Sequence, residues 1–162
     1  MITYKVGSAA APATGTWPCV ITHVVNDVGR WGKGFTASLD EVYPAAAASY
    51  LEWSSPARPS SVPFRLGNTL IAALAPPDVY VAHLCAQHGL PSRDNPHPLN
   101  LVTLEACLGE LATMLGRARR DYTVVMPRIG TGFGGAKWST IEPIIEACFP
   151  GRQVIVYTRG PA

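Results

Sequence analysis

The chain has no run of apolar residues long enough to cross a membrane: the longest, residues 69–84, is broken by Pro76, Pro77 and Asp78. The opening Met1-Ile2-Thr3-Tyr4-Lys5 lacks the basic segment and apolar stretch of a secretory signal. A cytoplasmic protein without membrane contact is therefore expected. An excess of one charge is missing too. Lys and Arg total 13 and Asp and Glu total 11, for a net charge of +2, which argues against a nucleic-acid-binding surface. Cysteine is sparse, at positions 19, 85, 107 and 148, and no C-x-x-C pair occurs. Three of the four sit in apolar runs, so reduced, buried thiols are expected. The 4 His and 4 Cys show no ligand spacing, and no metal or other cofactor is expected. Charged residues are only 15% of the chain and apolar residues 48%, a balance that excludes intrinsic disorder. A length of 162 residues fits one domain, residues 1–162, with a substantial core.

What the chain has in quantity is glycine and proline, 15 of each, which predicts tight turns and shaped loops. Residues 2–6 read as a short strand. Residues 17–25 are strongly apolar and rich in β-branched side chains, as a buried strand prefers. Residues 35–53 carry Leu39, Val42, Ala46 and Tyr50 at helical steps, with Pro44 kinking or splitting the helix. Residues 64–66 and 69–75 flank Gly67-Asn68 and predict a hairpin. Residues 79–85 and 123–126 read as buried strands, and 154–157 as the closing strand. Leu101, Leu104, Leu108, Leu111, Leu115 and Ala118 mark a long amphipathic helix. Ser139-Thr140-Ile141-Glu142 fits a capping box for a last helix, with Pro143 in its first turn. Strands alternate with helices, so the fold class is α/β, with helices on both faces of a mixed sheet.

Two glycine loops share one placement. Residues 26–34 (NDVGRWGKG) and 127–137 (PRIGTGFGGAK) each follow a buried strand and precede a helix. Ligands of open α/β sheets bind beyond the carboxyl ends of the strands. Glycines there let the backbone approach a ligand, and successive N–H groups cradle oxyanions. The second loop matches G-x-G-x-x-G by letter. It lacks a following strand and an acidic partner about twenty residues on, so a Rossmann reading is set aside. Two such loops at equivalent strand ends point to a diphosphate ligand.

The first loop with its strand, Ile21-Thr22-His23-Val24-Val25-Asn26-Asp27-Val28-Gly29-Arg30-Trp31-Gly32-Lys33-Gly34-Phe35, resembles the first ADP-ribose loop of the macro domain family. Met126-Pro127-Arg128-Ile129-Gly130-Thr131-Gly132-Phe133-Gly134-Gly135-Ala136-Lys137-Trp138 resembles its second. The likeness spans the chain. It falls in the branch containing terminal ADP-ribose protein glycohydrolase and ADP-ribose 1''-phosphate phosphatases. It implies a three-layer α/β/α macro domain with a mixed central sheet and a cleft for ADP-ribose. Asn26 would contact the distal ribose. Gly29 shapes the first loop, Gly32, Lys33 and Gly34 would offer amides to the diphosphate, and Trp31 and Phe35 would wall the cleft. Arg128, Ile129, Gly130, Thr131, Gly132, Phe133 and Gly134 would wrap the other side, with Tyr157 near the adenine.

This chain departs from the family at three positions. Ser8 stands where the family has the aspartate that holds the adenine amino group. Gln87 stands at or near the position of the glycohydrolase's nucleophilic lysine, and Gly134 at that of its partner aspartate. The implied activity is hydrolysis of mono-ADP-ribose from acidic side chains of proteins by water rather than by a lysine. Asp27 then stands as general base or ribose holder, or as a turn cap. Gln87 orients water or the distal ribose, or is a plain loop amide. His23 and Asn26 resemble the phosphatase arrangement, which makes a phosphatase the first alternative; a core histidine is an equal reading of His23. A reader that binds ADP-ribose without turnover is the third function considered. Arg128 faces phosphate or pairs with Glu142, Trp138 packs in the core, and His88, Arg93 and His97 read as solvated loop. The expected partner is ADP-ribose or an ADP-ribosylated protein, and a monomer is expected.

Overall fold

The computed structural model describes residues 1–12 and 15–159. Its elements run β1 (Ile2–Val6), β2 (Cys19–Asn26), α1 (Phe35–Val42), α2 (Pro44–Ser54), β3 (Thr69–Ala75), β4 (Val79–Gln87), α3 (Leu101–Arg117), β5 (Thr123–Met126), α4 (Trp138–Cys148) and β6 (Val154–Thr158). The six strands form one sheet in the order β1-β6-β5-β2-β4-β3. Every pairing is parallel except β3 with β4. Among the described residues, no helix is long and apolar enough to cross a membrane.

The two-residue period of β2 sorts its side chains between two helical layers. Val20 and Val24 join Leu104, Leu108, Leu111, Ile141 and Ile145 from α3 and α4. Cys19 and Ile21 face the other way, toward Leu39 and Ala46 of α1 and α2. The result is three layers, α/β/α, around a mixed sheet. Asn100 opens α3 by accepting the Thr103 N–H on its side chain at 3.0 Å, satisfying one orphan donor of the first turn. Pro44 splits the helical run: α1 stops at Val42, and α2 starts with the proline at its first position, where a missing N–H costs least.

The structure corrects two sequence expectations. Residues 64–66 are not a strand, and Gly67-Asn68 is not the hairpin turn. The antiparallel partner of β3 is β4, joined through Pro76, Pro77 and Asp78. Phe64 and Leu66 instead pack against the cluster around Tyr50 and Trp53, and the Asp78 N–H closes the turn on Ala75 O at 3.0 Å. The capping box is absent. Helix α4 begins at Trp138, its N-cap position is Lys137, and no side chain caps it. Glu142 instead accepts the Tyr4 hydroxyl, which in turn accepts the Trp138 indole N–H at 2.8 Å. Pro143 therefore lies inside the helix beyond the first turn.

Residues 88–99 form a strap across the carboxyl ends of the strands. At its start the Gly89 N–H donates to Asp27 at 2.8 Å. At its end the Leu99 N–H donates to Gly134 O at 3.3 Å, and a ring nitrogen of His97 lies 3.1 Å from Gly135 O.

Candidate functional site

Because β5 and β2 are parallel neighbours, the loops that follow them start side by side. Between them lies a cleft of about 620 Å³, continuous with a second chamber of about 470 Å³; Val24, Lys33, Thr36, Gln87 and Phe133 line both. The larger chamber is lined by His23, Gly34, Phe35 and residues 127–134, with Tyr157, Thr158 and Arg159 from the end of β6. Asn26, Arg30, Trp31, Gly32, Leu90 and Pro91 line the smaller one. Arg30, Lys33, Arg128 and Arg159 bring positive charge, and none of the described residues in either lining is Asp or Glu.

The backbone amides repeat this pattern. Among the described residues, the N–H groups of Lys33, Gly34, Gly130, Gly132, Phe133 and Gly134 have no partner within the protein. Gly32 differs, since its N–H donates to Thr36 Oγ1 at 3.1 Å. Gly34 sits at φ 67 ahead of α1, with the Phe133 ring against it. The positive φ strains any side chain there, and a Cβ would lie 3.0 Å from the Phe133 ring, which would have to give way. Phe133 thus bridges the two loops where the chambers meet.

Asn26 builds the first loop. Its Oδ1 accepts the N–H groups of Val28 and Arg30, both at 3.1 Å, and its Nδ2 donates to Arg30 O at 2.8 Å. The buried Tyr50 hydroxyl lies 2.9 Å from the same Oδ1 and 2.7 Å from Asn26 O. Removing these partners leaves several polar groups unpaired. Asn26→Ala is therefore expected to lower stability by about 3 kcal/mol and the melting temperature by roughly 6–12 °C, read by thermal unfolding.

Trp31 is half-buried. Its indole N–H donates to Asp40 at 2.9 Å, and its ring stands 5.5 Å from both His23 and Tyr50. His23 is 2% exposed. It pairs with its neighbour across the strands, His83, the ring nitrogens 2.7 Å apart. The other nitrogen of His83 meets Ser49 Oγ at 2.8 Å, and Ser49 donates to Ala46 O at 2.9 Å. Burial pushes the His23 pKa down to about 3. Burial, then the charge of His23, pushes His83 well below the usual histidine value. The pair is neutral near pH 7, one ring donating to the other.

Asp27 lines neither chamber. One of its oxygens takes the Gly89 N–H, and the other lies 2.7 Å from His88 Nδ1. Burial alone would raise its pKa. The Gly89 N–H, the His88 hydrogen bond and the His88 charge outweigh that and hold the carboxyl below the usual aspartate range. Gln87 is 9% exposed, and its Nε2 donates to Gly89 O at 3.4 Å. The Arg128 guanidinium lies 5.9 Å from the Tyr4 ring and 5.8 Å from that of Trp138, a pair of cation–π contacts in place of an ion pair with Glu142. Ser8 and Gly29 stand outside both linings; Ser8 Oγ accepts the Ala10 N–H at 3.2 Å. Sequence reasoning passed over Arg30, Thr36, Leu90, Pro91 and Arg159 as lining residues. Arg159, just beyond the last strand, was the most readable of them.

No family model matches the chain. A solved protein of unknown function from Bacteroides thetaiotaomicron is 32% identical, covers 97% of both chains and superposes with a TM-score of 0.85. Thermosipho africanus DarTG, solved in complex with ADP-ribose, is 15% identical; its TM-score of 0.71, over 99% of this chain and 43% of that one, is a likeness of fold. The mouse chromodomain-helicase-DNA-binding protein 1-like is 27% identical over 163 residues, 96% of this chain, and the chain spans 17% of that relative's length. A solved macrodomain protein from Streptomyces coelicolor is 31% identical over 99% of this chain and 100% of its own, with a TM-score of 0.81. On that likeness, extending from end to end, the chain belongs to the macrodomain family.

Proposed function

We propose that the protein binds ADP-ribose across the two chambers and hydrolyses mono-ADP-ribose from acidic side chains of modified proteins. One observation carries the reading: unpaired backbone amides from two loops face a cleft with four cationic side chains and no carboxylate in its lining. Such a site suits a ligand with concentrated negative charge and oxygen acceptors, and a diphosphate is that ligand. The fold shared with a protein solved in complex with ADP-ribose supports it. The amides of Lys33 and Gly34 take the diphosphate from one side and those of residues 130–134 from the other. On this reading Tyr157 lies toward the adenine and Arg128, at the start of the second loop, toward the diphosphate. Asn26 and Gln87 lie toward the distal ribose in the smaller chamber.

The ester of an acidic side chain at the anomeric carbon has a good leaving group. As that bond lengthens the sugar carbon gains positive charge, and a positioned water completes the reaction. A covalent lysine route is not part of the reading, since by the family resemblance Gln87 stands at or near the position of the nucleophilic lysine and Gly134 at that of its partner aspartate. The test offers three substrates: a protein auto-modified on Glu and Asp, one modified on Ser, and free ADP-ribose 1''-phosphate. Release of ADP-ribose from the first supports the reading. Turnover of the phosphate alone favours the phosphatase, and calorimetric binding without release from any of them favours a reader.

A further inference from the structure

We propose that His23 Nδ1 is an acceptor subsite in the wall of the larger chamber, which takes a ribose hydroxyl of the ligand and makes affinity depend on that hydroxyl. The inference rests on the ADP-ribose-binding part of the proposed function and names a contact that the diphosphate donors do not supply.

His23 lines the larger chamber yet is only 2% exposed. Its Nε2 lies 2.7 Å from His83 Nδ1. Its Nδ1 has no partner among the described residues, and among them no side-chain nitrogen or oxygen is both sealed from solvent and unpaired. Nδ1 therefore reaches open space, and the space that His23 borders is this chamber. The Trp31 and Phe35 rings, 5.5 and 5.9 Å away, stand beside the imidazole and, with His83, fix its orientation.

A chain of hydrogen bonds decides what that nitrogen offers. A hydroxyl has one proton and a carbonyl only accepts, so the Ser49 proton is spent on Ala46 O at 2.9 Å. Ser49 Oγ must then accept from His83 Nε2, 2.8 Å away. A neutral imidazole carries one proton. His83 thus shows a bare Nδ1 to His23, and His23 donates through Nε2 and keeps a lone pair on Nδ1. Burial holds both rings neutral, so the lone pair persists.

This acceptor differs from the polar groups around it. In the same lining the N–H groups of Lys33, Gly34 and Gly132 are donors without a partner within the protein. The hydroxyl protons of Thr36 and Thr131 go to the carbonyls of Lys33 and Arg128, at 2.7 and 2.8 Å. A phosphate oxygen suits the N–H groups and is repelled by a lone pair. A ligand that carries both a diphosphate and a sugar satisfies both, with its phosphates on the amides and a hydroxyl donating to Nδ1. A seated ligand without that hydroxyl leaves a buried acceptor unpaired.

Two measurements on the full chain test the proposal. Nitrogen NMR of labelled histidines near neutral pH is expected to show His23 protonated at Nε2 and bare at Nδ1. Saturating ADP-ribose is expected to shift the Nδ1 resonance as it accepts a hydrogen bond. Calorimetry compares ADP-ribose with analogues that each lack one ribose hydroxyl. One analogue is expected to bind about 10- to 100-fold more weakly and to leave the Nδ1 resonance at its ligand-free position. In His23→Phe, which keeps a ring and removes the acceptor, that analogue and ADP-ribose are expected to bind within about threefold of each other, as a direct pair does in a double-mutant cycle. A difference that persists in this variant assigns the hydroxyl to another group and overturns the proposal. So does a proton on Nδ1, an Nδ1 resonance unmoved by bound ADP-ribose, or a set of analogues that all bind as ADP-ribose does. These last three results come from the unmutated chain, so they decide the matter even where His23→Phe fails to fold, and they leave ADP-ribose binding standing. Absence of ADP-ribose binding overturns both readings.

Discussion

Gly132→Leu is expected to leave the melting temperature within about 2 °C of the parent while weakening ADP-ribose binding at least about 100-fold, or 2.7 kcal/mol. The two effects separate because of where this glycine sits. Its backbone is outside the left-handed region, and a Cβ there meets nothing within 4 Å, so the fold accepts a side chain. The space it fills is the cleft, beside the unpaired N–H groups of Phe133 and Gly134. A leucine there keeps a phosphate from those donors, and hydrogen bonds to a charged acceptor contribute about 1.5–3 kcal/mol each. Gly134→Ala gives the contrasting case. Its Cβ would lie 2.5 Å from Gly130 O and 3.0 Å from the Cα behind it. Backbone cannot yield as a flexible side chain does. The Gly130 carbonyl also holds the Ala136 N–H at 3.0 Å, so the loop must open, at about 2–3 kcal/mol and roughly 5–10 °C. Thermal unfolding and calorimetry on the two variants check both halves. Undiminished affinity in Gly132→Leu would move the diphosphate out of the second loop.

Acid is expected to remove about 4 kcal/mol of stability between pH 8 and pH 5, through the His23–His83 pair. Both rings are buried and neutral in the folded chain, with His23 titrating at about 3 and His83 well below its usual value. In the unfolded chain each takes a proton near pH 6.5. Below that pH the unfolded state binds more protons than the folded one, so stability falls as pH falls. It is fully present above about pH 7, and each ring accounts for about 2 kcal/mol of the loss by pH 5. A single-domain fold holds only about 5–15 kcal/mol in total, so the change is large. Asp27, whose pKa is also depressed, contributes stability that disappears only in the lower range where carboxylates titrate. Denaturant unfolding at intervals from pH 8 to pH 5 measures the effect. A flat profile would mean that the folded chain already carries charge at this pair.

Elements with one dominant signal were legible in the sequence. The leucine spacing of α3 and the β-branched run of β2 each admit a single period, and tertiary contacts reinforce it. Where two signals compete, the sequence alone could not choose. Gly67-Asn68 and Pro76-Pro77-Asp78 are both turn chemistry; in the fold the second joins β3 to β4, while Phe64 and Leu66 pack against the cluster of Tyr50 and Trp53. The letters of a capping box at 139–142 lost to an aromatic anchor, since Trp138 is bound to Tyr4 at the far edge of the sheet. The glycine loops could be placed at strand ends because strand, loop and helix follow one another in the chain. The histidine contacts could not. His23 and His83 are 60 residues apart, and Asp27 and His88 are 61; only the parallel register of β2 and β4 brings the members of each pair together. Trp31 was read as a wall of the cleft because a tryptophan on a glycine loop is hard to explain as core packing. Its N–H bond to Asp40 and its place beside Tyr50 give it a packing role as well.

The strap of residues 88–99 makes the two glycine loops mechanically dependent on each other. One end is fastened to Asp27 in the first loop and the other to Gly134 and Gly135 in the second. Conformational freedom removed from either loop is thus removed from both at once, and the spacing between them is set before any ligand arrives. On the proposed binding mode a diphosphate would meet two groups of donors at a fixed gauge, sparing it the ordering entropy that two independent loops would demand.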